Sequence, residues 1–347
     1  MVRAAMKLSP DYQQFILTAD GSFEEIGARM QKKLAALPDL DLRGKSVLDI
    51  GCDYGFWSFR AAHRGAARVL GLDRGRDVHG VGAVDLPAQN RQIAASHARL
   101  AACSFENINL GRQWLEFGRF DVAYMFSMYH HVYQAADGDH VPVWYWLHRH
   151  LKPDGVLVWE NPLVAHDSTV ARHVSAAHHA NYNAAAILAA AERYFEPEYF
   201  GPARHSPTRE VYLFHPKSIA PRTFAARPVD GVKGASRAML YHDGARIGEV
   251  EQILGFRPFP GSLNLRYDGA PDLTQGYYRA TLMDMPRGDI AGQWAPRMAR
   301  FYPLAIDGRP AWAVHFEDQQ KHRAGLTECY APERLRDVVG EQVTLTW

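Results

Sequence analysis

The residues best suited to chemistry begin at VLDIGCDYGF, residues 47–56, where Asp49, Gly51, Asp53 and Gly55 fall within seven positions. Glycines there allow a tight turn and let a ligand approach the backbone without a Cβ in the way. Asp73 closes VLGLD, residues 69–73, 24 residues after Asp49. An acid at that point can accept hydrogen bonds from both ribose hydroxyls of a nucleoside. The glycine turn alone is common to many α/β proteins, and the downstream acid gives the pair its specificity. Further on, Tyr129, His130 and His131 stand in FDVAYMFSMYHHV, residues 120–132, and Glu160 and Asn161 follow VLVW, residues 156–159. Histidine titrates near neutrality and suits a general base. His130 or His131 is the candidate base, with Glu160 orienting it or holding an acceptor; the plain alternative is a capping histidine beside a packing one. A second cluster lies in ILGFRPFPGSLNL, residues 253–265, where Ser262 and Asn264 alternate with Leu263 and Leu265. An extended chain puts the two oxygen-bearing side chains on one face, a donor set suited to magnesium, though alone it reads as the polar face of an ordinary strand.

The turn, the acid, FDVAYMFSMYHHV and HLKPDGVLVWE (residues 150–160) occur in the order and spacing of class I S-adenosylmethionine methyltransferases, which the chain resembles over about residues 41–215. The resemblance implies S-adenosylmethionine as cofactor, held by Asp49, Gly51, Asp53, Gly55 and Asp73. Asp53 stands where that family often has its middle glycine. Tyr129, His130, His131, Glu160 and Asn161 would face the methyl acceptor, Tyr129 and Asn161 as binding residues. GFRPFPGSLNL (255–265) and TECYAPERLRD (327–337) resemble the archaeal-type CTP-dependent riboflavin kinases, a cradle-loop β-barrel family. That likeness implies Ser262 and Asn264 as magnesium ligands, Glu328 on the acceptor side, and a CTP-binding loop at GVKGASRA, residues 231–238, with Gly234 and Ser236. Ser236 replaces a glycine of that family's loop and Ala238 a tyrosine.

These residues need scaffolds to position them. Apolar runs at Ser46–Ile50, Arg68–Leu72, Phe120–Phe126, Val156–Glu160 and Val211–His215 predict strands. Helices are expected at Phe56–His63, Leu86–Ala102 and Val141–His150, with an alanine-rich helix reaching Tyr194 and LKPDG as a turn. The alternation predicts an α/β fold with a doubly wound, mostly parallel, Rossmann-like sheet. Phe23–Leu37 carries apolar residues at helical spacing, so residues 1–40 read as a helical extension. Three prolines in PKSIAPRTFAARP mark a linker at 216–227, and short apolar runs between turns make 228–347 a smaller, mainly β barrel domain. The methyltransferase domain is then 41–215.

Composition narrows the function classes. The 347 residues are 47% hydrophobic and 22% charged with a net charge of +1, which gives no global attraction to nucleic acid or anionic lipid. No run suits a membrane span, and three cysteines without metal-like spacing suit a reducing, cytoplasmic setting. His148 and His150 sit near a helix end where positive charge is favoured. Trp144, Tyr145 and Trp146 read as core and pocket wall. The expected function is methyl transfer to a small-molecule or saccharide hydroxyl, joined to a magnesium- and CTP-dependent kinase-like domain, with a homodimer as a candidate assembly. Two competing readings make the barrel a non-catalytic substrate-binding module, or the protein a nucleic-acid methyltransferase.

Overall fold

A computed structural model describes residues 15–18, 20–77, 83–229, 251, 253–259, 262–267, 276–284, 295–316 and 326–346. The chain divides into two compact units, Met1–Gly111 with Phe117–Ser218, and Arg112–Glu116 with Ile219–Trp347.

The first unit runs β1 (Phe15–Leu17), β2 (Phe23–Ile26), α1 (Ala28–Leu34), β3 (Ser46–Ile50), α2 (Phe56–His63) and β4 (Arg68–Asp73). It continues with β5 (Arg76–Asp77), β6 (Ala83–Val84), α3 (Leu86–Ser96), β7 (Cys103–Asn107), β8 (Phe120–Phe126), α4 (Tyr129–Ala135) and α5 (His140–Arg149). It ends with β9 (Leu151–Pro162), α6 (Ser168–His173), α7 (Ala176–His179), α8 (Ala184–Ala191), β10 (Phe195–Pro202) and β11 (Arg209–Pro216). Seven strands form one sheet in the order β10-β11-β9-β8-β3-β4-β7. The five from β9 to β7 are parallel to their neighbours, and β11 and β10 add antiparallel pairs at one edge. This is the doubly wound, Rossmann-like sheet expected from the alternation. Strand order reverses between β3 and β8, and that opens a crevice at their carboxyl ends.

Alternation along the strands builds two cores. Val47, Val69, Val122, Phe126 and Val158 face α2 and the N-terminal hairpin, where Phe15 and Phe23 pack edge-on to Phe56 at 5.5 and 5.3 Å. On the other face Trp144 of α5 lies 4.7 Å from Phe214 and 6.2 Å from Trp159. The residues read as a helical extension are therefore a β-hairpin and a seven-residue helix within the first core. Phe15 and Leu17 alternate inward, and Gly27 starts the helix only after β2 ends. LKPDG begins β9 rather than making a free turn, its extra length taken up by a register shift opposite Phe120 and Val122. The long alanine-rich helix is three short ones, interrupted at Asp167, Ser175 and Asn183, which stand as N-caps. β7 and β10 carry polar residues on exposed edges and gave no apolar run to read.

In the second unit β12 (Thr223–Val229), β13 (Leu263–Tyr267), β14 (Tyr278–Asp284), β15 (Ala295–Ile306), β16 (Arg309–Phe316), β17 (Leu326–Tyr330) and β18 (Val343–Thr346) are all antiparallel. The order β15-β16-β17-β13-β12-β18 closes on itself through β18–β15 pairing, a six-stranded barrel with β14 added outside. Part of the expected linker, from Thr223, is thus a barrel strand. Arg112–Glu116, expected in the first domain, belongs to this unit: Trp114 stacks on Tyr278 at 5.3 Å.

Because Trp144 is wholly buried, Trp144→Ala is expected to destabilise the first unit by about 3–5 kcal/mol, read by denaturant unfolding.

Candidate functional site

The turn after β3 takes three left-handed residues in five, Gly51 at φ 77°, Asp53 at 50° and Gly55 at 81°. Aspartate tolerates that region, so Asp53 serves where a glycine was expected. Its amide donates to Asp73 Oδ2 at 2.9 Å, and Gly75 N donates to Asp73 Oδ1 at 3.1 Å. Asn90 of α3 donates to the Asp53 carbonyl at 2.8 Å. Asp73 therefore clamps the glycine turn against the end of β4. Asp49 is buried, and Ser58 Oγ donates to it at 2.6 Å. Burial pushes its carboxyl up to about 7, against the Ser58 hydrogen bond; it fastens the strand to α2.

A cavity of about 30 Å³ lies at these strand ends, bounded by Gly51, Asp73, Asn109, Met128 and His131. A Cβ added at Gly51 would fall 1.9 Å from Met128 Cγ, so the methionine already fills the cradle that glycine leaves. A wider hollow of about 440 Å³ lies against the other side of the strands, lined by Leu34, Trp57, Arg60, Tyr124 and Val158. It lacks the acid and the glycine turn.

Of the five residues expected to face the acceptor, His131 lines this cavity, and the other four are engaged in the structure around it. Tyr129 is fully buried, with its hydroxyl 2.7 Å from His140 Nδ1. Asn161 accepts from Tyr129 N and donates to Met125 O, both at 2.9 Å, so it pins α4 to the end of β8. His130 is wholly enclosed, and burial first, then His131, Arg209 and His173, keep it well below the usual imidazole range. Glu160 is the centre of a charge cluster instead. Lys33 Nζ lies 2.8 Å away, Arg209 and His205 each 3.5 Å, and Ser127 Oγ donates to it at 3.3 Å. Burial alone would raise its pKa; Lys33 and Arg209 outweigh that and lower it.

Lys33, His173, His205 and Arg209 were not singled out from sequence, since each is an isolated residue brought in by a distant element, and Ser127 and Met128, though inside the quoted motif, carry no chemical mark of their own. His150 is structural. His150 stacks on Trp146 at 3.8 Å, faces its carbonyl through Nδ1 at 2.8 Å and accepts from Phe117 N through Nε2 at 3.0 Å. Those bonds require a neutral ring, not a helix-end cation.

In the barrel, Leu263 and Leu265 are buried while Ser262 and Asn264 sit on the half-exposed face. Ser262 donates to Glu328, which stands opposite Asn264 in register and also accepts from Tyr330 at 2.9 Å. Gly234 and Ser236 lie outside the described residues.

Burial lowers His205 from 6.5 to about 4, with the Lys33 and Arg209 charges adding to it and Glu160 opposing. The unfolded chain therefore takes up a proton near 6.5 that the folded chain refuses, so stability falls as pH drops from 6.5 to about 4. His205→Gln is expected to flatten the fall in melting temperature across that window, measured from wild type and variant in parallel.

A profile of the family described as methyltransferase domain matches residues 23–206. A riboflavin kinase from Methanopyrus kandleri is 37% identical over 81 residues, 22% of this chain and 48% of that protein. A tRNA U34 carboxymethyltransferase from Campylobacter hominis is 47% identical over 38 residues, 11% of this chain and 13% of that protein. The chain thus spans less than half the length of either. Among solved structures, a TehB-like S-adenosylmethionine-dependent methyltransferase from Corynebacterium glutamicum is 18% identical, with 56% of this chain and 89% of that one covered at a TM-score of 0.38. An S-adenosylmethionine-dependent methyltransferase from Mesorhizobium loti is 20% identical, covering 54% and 97% at a TM-score of 0.39. No helix among the described residues is long and apolar enough to cross a membrane. With its profile matched over more than half its length, the chain belongs to the methyltransferase-domain family.

Proposed function

We propose that the first unit transfers a methyl group from S-adenosylmethionine to a hydroxyl of a small molecule or saccharide, at the carboxyl ends of β3, β4 and β8. The observation that carries this reading is the single cavity shared by Gly51, Asp73 and His131. S-adenosylmethionine, when bound, supplies a sulfonium methyl open to in-line attack. Asp73 would accept from the ribose hydroxyls, and the Gly51 turn would let the nucleoside meet the backbone. Asp49, Asp53 and Gly55 hold that turn in shape.

The donor set fits the nucleoside, but a cavity of about 30 Å³ does not admit it; ligand pockets are on the order of 300–1,000 Å³. Met128 is the side chain that must leave, and an unbranched thioether changes rotamer at little cost. His131 then stands beside the space where an acceptor hydroxyl would enter, while His130 stays enclosed behind it.

A second reading assigns the barrel a magnesium- and CTP-dependent kinase activity. The likeness to a riboflavin kinase and the grouping of Ser262, Asn264 and Glu328 support it. If the barrel only holds substrate, it serves the methyltransferase by raising local concentration. The three cysteines carry free thiols, which supports a reducing, cytoplasmic setting.

Asp73→Ala is expected to weaken S-adenosylmethionine binding, with each lost hydrogen bond costing about 1–3 kcal/mol; unchanged affinity in calorimetry removes the assigned site. His131→Ala should lower turnover while cofactor affinity holds. Labelled cofactor offered with metabolite fractions and with total tRNA separates a small-molecule acceptor from a nucleic acid. For the barrel, magnesium-dependent CTP binding lost in Ser262→Ala/Asn264→Ala supports the kinase, and binding that ignores magnesium ends that reading.

A further inference from the structure

We propose that His130, His131 and His173 form a binding site for one divalent transition-metal ion of the zinc class. One ring nitrogen from each lies within 4.8 Å of the other two. The ring centroids are 4.2 Å apart for His130 and His131, 4.5 Å for His131 and His173, and 5.8 Å for His130 and His173. Two come from the first turn of α4, and the third is the last residue of α6.

His130 is the independent sign of a ligand. Its ring is wholly buried, and neither nitrogen has a hydrogen-bond partner. A buried polar ring without partners is costly, and a metal ion would take the lone pair that nothing else in the fold takes. His173 is already oriented for ligation. Its Nδ1 lies 2.8 Å from the Thr169 carbonyl, so that nitrogen must donate, and Nε2 keeps its lone pair. This is the outer-shell contact that fixes the tautomer of ligating histidines. The Thr169 side chain accepts from Arg209 at 3.2 Å, which holds the N-terminal turn of α6 in place.

Three metal–nitrogen bonds of about 2.0–2.1 Å bring the nitrogens to about 3.4 Å from one another in a tetrahedral site. Small side-chain rotations supply the contraction. An all-imidazole set selects zinc, cobalt, nickel or copper over magnesium and calcium. Three protein ligands leave a fourth position open, the pattern of catalytic rather than structural zinc. His131 also borders the cavity at the strand ends. An acceptor oxygen at the open position would be made more acidic. That consequence rests on the methyl-transfer reading, whereas metal binding does not.

The test uses the full chain without a histidine tag, stripped with chelator and titrated with cobalt(II) and then zinc. Calorimetry and visible cobalt absorption read the binding, and S-adenosylmethionine affinity is measured separately on the same preparation. One ion per chain is expected, with zinc displacing cobalt. His173→Ala, an exposed change that leaves the core intact, should weaken binding at least about tenfold, and the exposed control His63→Ala should not. No cobalt absorption, or wild-type affinity in His173→Ala, overturns the proposal. Cofactor binding without metal uptake removes only the metal site, and metal uptake without cofactor binding removes only the methyl-transfer reading.

Discussion

The hydrogen bond from the Asp53 amide to the Asp73 carboxylate joins the two strand ends on which the candidate site depends. It holds a turn whose backbone is left-handed at three places, a conformation that glycine takes freely and aspartate tolerates. Without the carboxylate, the turn loses the acceptor that aligns its amides with β4. The same carboxylate is the group a nucleoside would use. On the proposed reading, ligand and turn would meet at one side chain, and occupancy of the site would be coupled to the shape of the loop.

A second constraint acts from behind the sheet. Glu160 is wholly buried and kept ionised by Lys33 and Arg209, with His205 3.5 Å away. Burying a carboxylate costs several kcal/mol on the order-of-magnitude scale unless cations and hydrogen bonds offset it. Here the partners come from α1, β11 and the loop before β11, so the N-terminal segment is structural. Glu160 also meets Ser127 twice, through its hydroxyl and through the Ser127 amide, which donates to the Glu160 carbonyl at 2.7 Å. Ser127 is left-handed at φ 57° and turns the chain into Met128 and α4. The charge cluster thus sets where Met128 lies over Gly51 and where His130 and His131 begin their helix.

The sheet was legible because its inner strands are short apolar runs that periodicity finds: Ser46–Ile50 and Phe120–Phe126 are read to the residue. The glycine turn and Asp73 were legible because both lie close to those strands in sequence. The polar edge strands β7 and β10, and the hairpin at Phe15–Ile26, lacked such a run or mixed it with helical spacing. Roles that depend on burial were not legible. Glu160 and Asn161 follow a strand end and read as pocket residues, yet Lys33 lies well over a hundred residues away in sequence and claims the first, while Tyr129 N and Met125 O claim the second. His173 carries no local mark at all. Its neighbours His130 and His131 are brought to it by the packing of α6 on α4.

The most direct measurement is a crystal structure of the full chain grown with S-adenosylmethionine. The account predicts nucleoside density at the ends of β3 and β4, its ribose on Asp73 and Met128 swung away from Gly51. Density at any other place, or a Met128 still seated on Gly51 with the ligand in excess, would contradict it.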